Sequence, residues 1–182
     1  MDMLIKNTIN KLYYGADPSK GNYLSLCQQP ITLPTEIKSF VKEMKIQFEN
    51  ISMGEIWPSA AFQFEFPKYE KNEFHINYTS KLMISKLAPV YYLQHHFTIE
   101  NVDPERATPV LDGFSTQSYS MLQQKLDTKL NQILKEMRYN ALNYQEMNEV
   151  ICDLDIKTEP LFGPQITVEL ALFHDLLELC PE

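Results

Sequence analysis

The stretch from Phe74 to Glu100, FHINYTSKLMISKLAPVYYLQHHFTIE, decides how this chain folds. Its apolar residues take even positions at Phe74, Ile76, Tyr78, Leu82 and Ile84, then odd positions at Leu93, Phe97 and Ile99. The change of parity falls at Leu87-Ala88-Pro89-Val90. Successive side chains of a strand point to opposite faces, so each half predicts a strand with one apolar face. With Ala88-Pro89 as a two-residue turn, Tyr78 would face Ile99, Ser80 would face Phe97 and Ile84 would face Leu93. A slip of one residue would mix the two faces, which disfavours it. Neither Ala88 nor Pro89 suits the positive backbone angles of two-residue hairpin turns, so a wider loop also fits.

Upstream, Phe62, Phe64 and Phe66 alternate with Gln63 and Glu65, predicting a strand that Pro67 closes. Pairing Phe66 with Phe74, Phe64 with Ile76 and Phe62 with Tyr78 would extend the same apolar face over three antiparallel strands. The expected buried set is therefore Phe62, Phe64, Phe66, Phe74, Ile76, Tyr78, Ile84, Leu93, Phe97 and Ile99. Helices must cover it. The spacing predicts one from Leu4 to Tyr14, and another opening at Pro34-Thr35-Glu36 with Thr35 as its cap and Ile37, Phe40, Val41 and Met44 on one face. A third runs from Thr116 to Met137 on the stripe Tyr119, Leu122, Leu126, Leu130, Ile133 and Met137, with charged and amide residues opposite. A fourth spans Gln145 to Asp153, with Met147, Val150, Ile151 and Leu154 inward. Shorter strands are expected near Tyr23–Cys27, over Ile46–Ile51, and from Ile166 to Leu172 at the sheet edge. The reading is a single α+β domain over residues 1–182, an antiparallel sheet with a long central hairpin and one face covered by helices.

The chain has 182 residues, 44% hydrophobic and 22% charged, enough for one sizeable core and too apolar for disorder. No apolar run approaches the roughly 20 residues of a membrane helix, and the start lacks a signal-peptide pattern. Cys27, Cys152 and Cys180 are odd in number and widely spaced. They read as reduced thiols of a cytoplasmic protein, with no metal site, no disulfide and no cofactor. From Tyr139 onward nine acids meet one base, which accounts for the whole formal charge of −8. That asymmetry disfavours nucleic acid and favours a basic protein as partner; solubility alone is the plainer alternative.

No phosphate-cradling loop, nucleophile elbow or zinc-helix motif is present. The histidines are the remaining chemical lead. In the expected registers Glu65 lies across from His75, a pair able to raise an imidazole pKa and exchange protons. His96 shares their outer face, whereas His95 points inward as a core histidine. Glu65, His75, His95 and His96 are therefore the candidate residues of a small hydrolase. The outer face also carries Gln63, Asn77, Thr79, Lys81, Met83, Tyr92, Gln94, Thr98 and Glu100. Its mixture suits a wet protein interface, and a single lysine makes it a poor platform for RNA.

In its small size, acidity and want of a catalytic motif the chain resembles the immunity proteins of bacterial polymorphic-toxin and contact-inhibition systems. Leu33-Pro34-x-x-Ile37-x-x-Phe40 looks like the opening helix of the SUKH immunity superfamily. The resemblance implies a protein-binding inhibitor that blocks a basic toxin domain. Glu146, Glu149, Asp153, Asp155, Glu159 and Glu169 are the acids expected to form the capturing surface. The other readings are the histidine hydrolase and a phage or structural accessory protein that self-assembles through a large exposed apolar face.

Overall fold

The computed structural model describes residues 3–13, 20–71, 74–101, 105, 111–152 and 165–181. In chain order these form α1 (Met3–Tyr13), α2 (Lys20–Cys27), α3 (Thr35–Glu43), β1 (Gln47–Asn50), β2 (Ser59–Glu65), β3 (Tyr69–Lys71), β4 (Phe74–Ser85) and β5 (Val90–Asn101). Then follow β6 (Leu111–Ser115), α4 (Met121–Glu136), β7 (Asn140–Leu142), α5 (Tyr144–Met147) and α6 (Val168–Phe173). The fold is α+β. Hairpin β4–β5 lies at the centre of a seven-stranded sheet ordered β1-β2-β4-β5-β6. β3 shares a flank of β4 with β2, and β7 shares a flank of β5 with β6. Among the described residues only the β5–β7 pairing is parallel.

The faces match the sequence reading, but both registers are displaced. Tyr78 lies opposite Phe97 and Ile84 opposite Tyr91, a shift of two residues from the expected pairs. An even shift keeps every side chain on its face. The cause is the loop, which spans residues 86–89 in place of a two-residue turn. Ser85 holds it open, its Oγ accepting from the amides of Leu87 (3.1 Å) and Ala88 (3.2 Å). β2 is shifted further, with Phe62 opposite Leu82 and Phe64 opposite Ser80. Here β3 intervenes: Tyr69–Lys71 folds back on Phe74–Ile76 and takes the flank expected for β2.

Phe62, Phe64, Leu82, Ile84, Tyr91 and Leu93 pack against Ile37 and Val41 of α3 and Leu126, Leu130 and Leu134 of α4. This is the expected helical cover. A second layer lies on the opposite face, where Ala61, Met83 and Tyr92 meet α1, α2 and α6. Met83 and Tyr92 are thus buried, not presented outward. Ser59 and Ser85, opposite each other in the sheet, donate to the carbonyls of Phe173 (2.9 Å) and Leu172 (2.7 Å) at the end of α6. They satisfy acceptors that a helix end leaves open. Burial fades towards the open end of the hairpin. Ile76, Tyr78, Phe97 and Ile99 are half-buried and Phe74 is 47% exposed.

Several helix assignments change. Tyr23–Cys27 is helical, since Tyr23 and Cys27, four apart, face the second core together. Pro34 takes the cap position of α3 without a side-chain bond, and Thr35 is the first helical residue. α4 begins at Met121, where Ser120 and Gln123 form a capping box. α5 is a single turn, and Val150 beyond it forms an isolated bridge with Thr167. Ile166–Leu172 is not a strand. Thr167 caps α6, and Val168, Ala171 and Leu172 recur at helical spacing, all buried. Leu154 and Asp153 lie outside the described residues.

Candidate functional site

The site can be built from the row of residues where the second helical layer stops. Tyr92, Gln94 and His96 follow one another along the outer face of β5. Tyr92 is buried, and its hydroxyl accepts a long bond from Gln94 Nε2 (3.4 Å). Gln94 Oε1 lies 2.9 Å from His96 Nε2. Burial raises the Tyr92 phenol pKa, with Glu169 adding to the rise and Tyr144 contributing after it. His96 is opposite Phe114, with ring centroids 6.0 Å apart, and Phe114 is 6.5 Å from Tyr144. The two outer rings are 58% and 52% exposed. The backbone carbonyl of Glu149 accepts from the Val168 amide (3.0 Å), which ties that stretch of chain to the start of α6.

The local causes are plain. Parity puts Tyr92, Gln94 and His96 on one face. Pairing of β6 with β5 brings Phe114 over His96. The parallel pairing of β7 with Val90–Tyr92 returns the chain to the same flank, and Asn143 then starts α5 at Tyr144. Gly113 permits the close fit of β6, because a Cβ there would lie 2.6 Å from the Phe97 ring.

The predicted acids separate. Glu169 acts electrostatically on Tyr92 and has its Oε1 3.9 Å from His174 Nε2, while Glu149 is tied to α6 through its backbone. Glu146 has a structural duty as well, its Oε2 accepting from the Asn143 amide at 2.8 Å. Asp153, Asp155 and Glu159 lie outside the described residues. Asp175, counted in the acidic quarter, is buried. It accepts from Tyr23 Oη (3.0 Å) and from the Cys180 amide (2.6 Å).

The predicted histidine–carboxylate site is not assembled. Glu65 is opposite Thr79, four residues from His75, because β2 is displaced. His75 instead faces Glu70 and Glu100 across its two neighbours, with Nε2 3.9 Å from Glu70 Oε1. His95 is fully buried on the inner face, Nδ1 2.7 Å from Ser80 Oγ and Nε2 3.2 Å from Ser118 Oγ. Burial lowers its pKa to about 4, so it is a neutral core imidazole. Gln123 locks the same region. Its Oε1 accepts from the amides of Tyr119 and Ser120 (3.0 Å each), and its Nε2 donates to the carbonyls of Thr79 (2.9 Å) and His96 (3.1 Å).

A cavity of about 640 Å³ lies near Lys86, bounded by Gln28, Thr32, Asn50 and Glu55. The lysine ammonium is taken up there by the carbonyls of Cys27 (2.7 Å) and Glu55 (2.9 Å). Among the described residues no three metal-binding side chains cluster, and no helix is long and apolar enough to cross a membrane. Sequence reasoning missed Phe114 and Tyr144, which carried no periodic signal. No protein-family model, curated protein or solved structure matches the chain.

Proposed function

We propose that this chain is a protein-binding inhibitor of the immunity-protein kind, which neutralises a basic toxin domain. The observation that carries the reading is the exposed Phe114–Tyr144 pair beside His96, in a row whose Tyr92 feels the charge of Glu169. Covering such a ring stabilises a complex by roughly 1.5–3 kcal/mol when burial is complete. Aromatic residues of this kind are the usual energetic anchors of an interface. Negative charge acting on the row selects a cationic partner, speeds its arrival by roughly ten to a thousandfold, and leaves the rings to receive its cations face-on.

The test starts from the genes flanking this chain's own: a basic toxin domain encoded there is co-expressed with the chain, and binding kinetics are measured on the purified pair. The chain should restore growth and form a one-to-one complex. Reversing Glu149 and Glu169 to lysine should slow association and flatten its salt dependence. Phe114→Ser with Tyr144→Ser should mainly speed dissociation. Absence of a complex at micromolar concentrations would sink the reading, as would wild-type kinetics in both variants.

A further inference from the structure

Beyond α6 the chain turns back onto α2, and buried Asp175 shapes the turn. Its carbonyl accepts from the Glu178 amide (3.3 Å), its Oδ2 from the Cys180 amide (2.6 Å) and its Oδ1 from Tyr23 Oη of α2 (3.0 Å). Glu178 takes a φ of 51°, a left-handed conformation that reverses the chain locally. Cys180 is thereby packed against the second core, to which Cys27 belongs. Cys27 lies one helical turn beyond Tyr23 on the same face of α2, so the Tyr23–Asp175–Cys180 bonds bring the two sulfurs side by side. The thiols act on each other in the sense that lowers Cys27 and raises Cys180, with the Cys180 S–H donating towards the Cys27 sulfur. Cys27 is fully buried and Cys180 half-buried, so solvent reaches the pair from the Cys180 side. Tyr13, Tyr23, Asp175 and Lys86 are the ionisable groups around it, and the Lys86 ammonium is held 2.7 Å from the Cys27 carbonyl.

We propose that Cys27 and Cys180 are a reversible dithiol–disulfide pair, a clasp that fastens the turn after α6 to α2. A disulfide needs Cβ atoms about 3.8 Å apart. One partner here is fixed in a helix, and the other sits in a segment without helix or strand that can make the adjustment. The oxidant is a small-molecule disulfide. The Cys180 thiolate attacks one of its sulfurs and breaks the S–S bond, releasing one small thiol and leaving a mixed disulfide on Cys180. The Cys27 thiolate then attacks the Cys180 sulfur and releases the second small thiol. Two protein thiols are thus oxidised to one disulfide, the small disulfide is reduced to two thiols, and the two protons leave on those thiols. Burial raises both protein thiols, which makes closure slow at neutral pH, and the Lys86 charge offsets part of that cost at Cys27. The closed loop spans most of the chain, the case in which a cross-link removes the most freedom from the unfolded state. The clasp stands independently of the proposed function.

The test refolds the Cys152→Ser protein from urea in a buffer of oxidised and reduced glutathione, so that access to the buried thiol does not limit the outcome. The product should be a monomer lighter by two hydrogens, with a Cys27–Cys180 cross-linked peptide in its digest. Its melting midpoint should lie about 10 °C above that of the reduced protein, and dithiothreitol should abolish the difference. Cys27→Ala in the same background should stop at a glutathione adduct on Cys180, whereas Cys180→Ala should leave Cys27 unmodified once folded. A refolded product that stays reduced, or that ends as a glutathione adduct with both cysteines present, would overturn the pair. An oxidised protein whose midpoint is unchanged or lower would overturn the clasp, since the bond would then form only by distorting the fold.

Discussion

His95 offers the sharpest check on the interior of the fold. Its imidazole is fully buried between Ser80 and Ser118, and burial holds its pKa near 4. In the unfolded chain it titrates near 6.5, so between those values the unfolded state binds the extra proton. The sign follows directly. Stability is fully present above about pH 6.5 and is lost as the pH falls towards 4. The two pKa values give a loss of about 2 kcal/mol by pH 5 and about 3 kcal/mol by pH 4 from this residue alone. Urea unfolding at intervals from pH 7.5 to 4.5 measures it, and a 2 kcal/mol loss moves the midpoint by about 1 M. His95→Gln is the control. It lowers stability at every pH by disturbing the packing, but it removes this titration. His96, also held below its ordinary value by burial, titrates in both proteins and cancels in the difference. Parallel losses in wild type and variant between pH 6.5 and 5 would show that His95 is not a buried neutral imidazole.

Phe64→Ala, at a fully buried position between the sheet and α3, should cost about 3–5 kcal/mol, whereas Phe74→Ala at the exposed end of the same alternation should cost well under about 1 kcal/mol; urea midpoints decide both. Gln123→Leu should cost about 3 kcal/mol by stranding two amides and two carbonyls. It should also accelerate hydrogen exchange at Tyr119 and Ser120, and unchanged exchange would refute the lock. Among the thiols, exposed Cys152 should react with a maleimide at neutral pH well before Cys27, whose buried thiol is pushed up to about 11. Mass spectrometry of the quenched reaction identifies the first site labelled.

What the sequence determined by itself was everything that depends on local period. Alternation through Phe62–Phe66, Phe74–Ile84 and Leu93–Ile99 assigned each side chain to a face, and three- and four-residue spacing placed α1, α3 and α4. A face assignment survives any even shift of register, which is why the strands were legible and their pairing was not. Register was decided by the four-residue loop that Ser85 supports and by β3 occupying the flank of β4. Segments with two readable periods were decided by what they pack against. Ile166–Leu172 alternates, but Val168, Ala171 and Leu172 also share a helical face, and the second core took that face. The same layer buried Met83 and Tyr92, which their polar neighbours had marked as outward. The candidate surface was the least legible part. Phe114 and Tyr144 are thirty positions apart in sequence and meet only because parallel β7 returns the chain to the flank of β5 that β6 has just left. Asp127, which reads as one more charge on the wet side of a helix, lines the same cavity as Glu146. No period in a sequence encodes a gap between two strands; packing alone creates it.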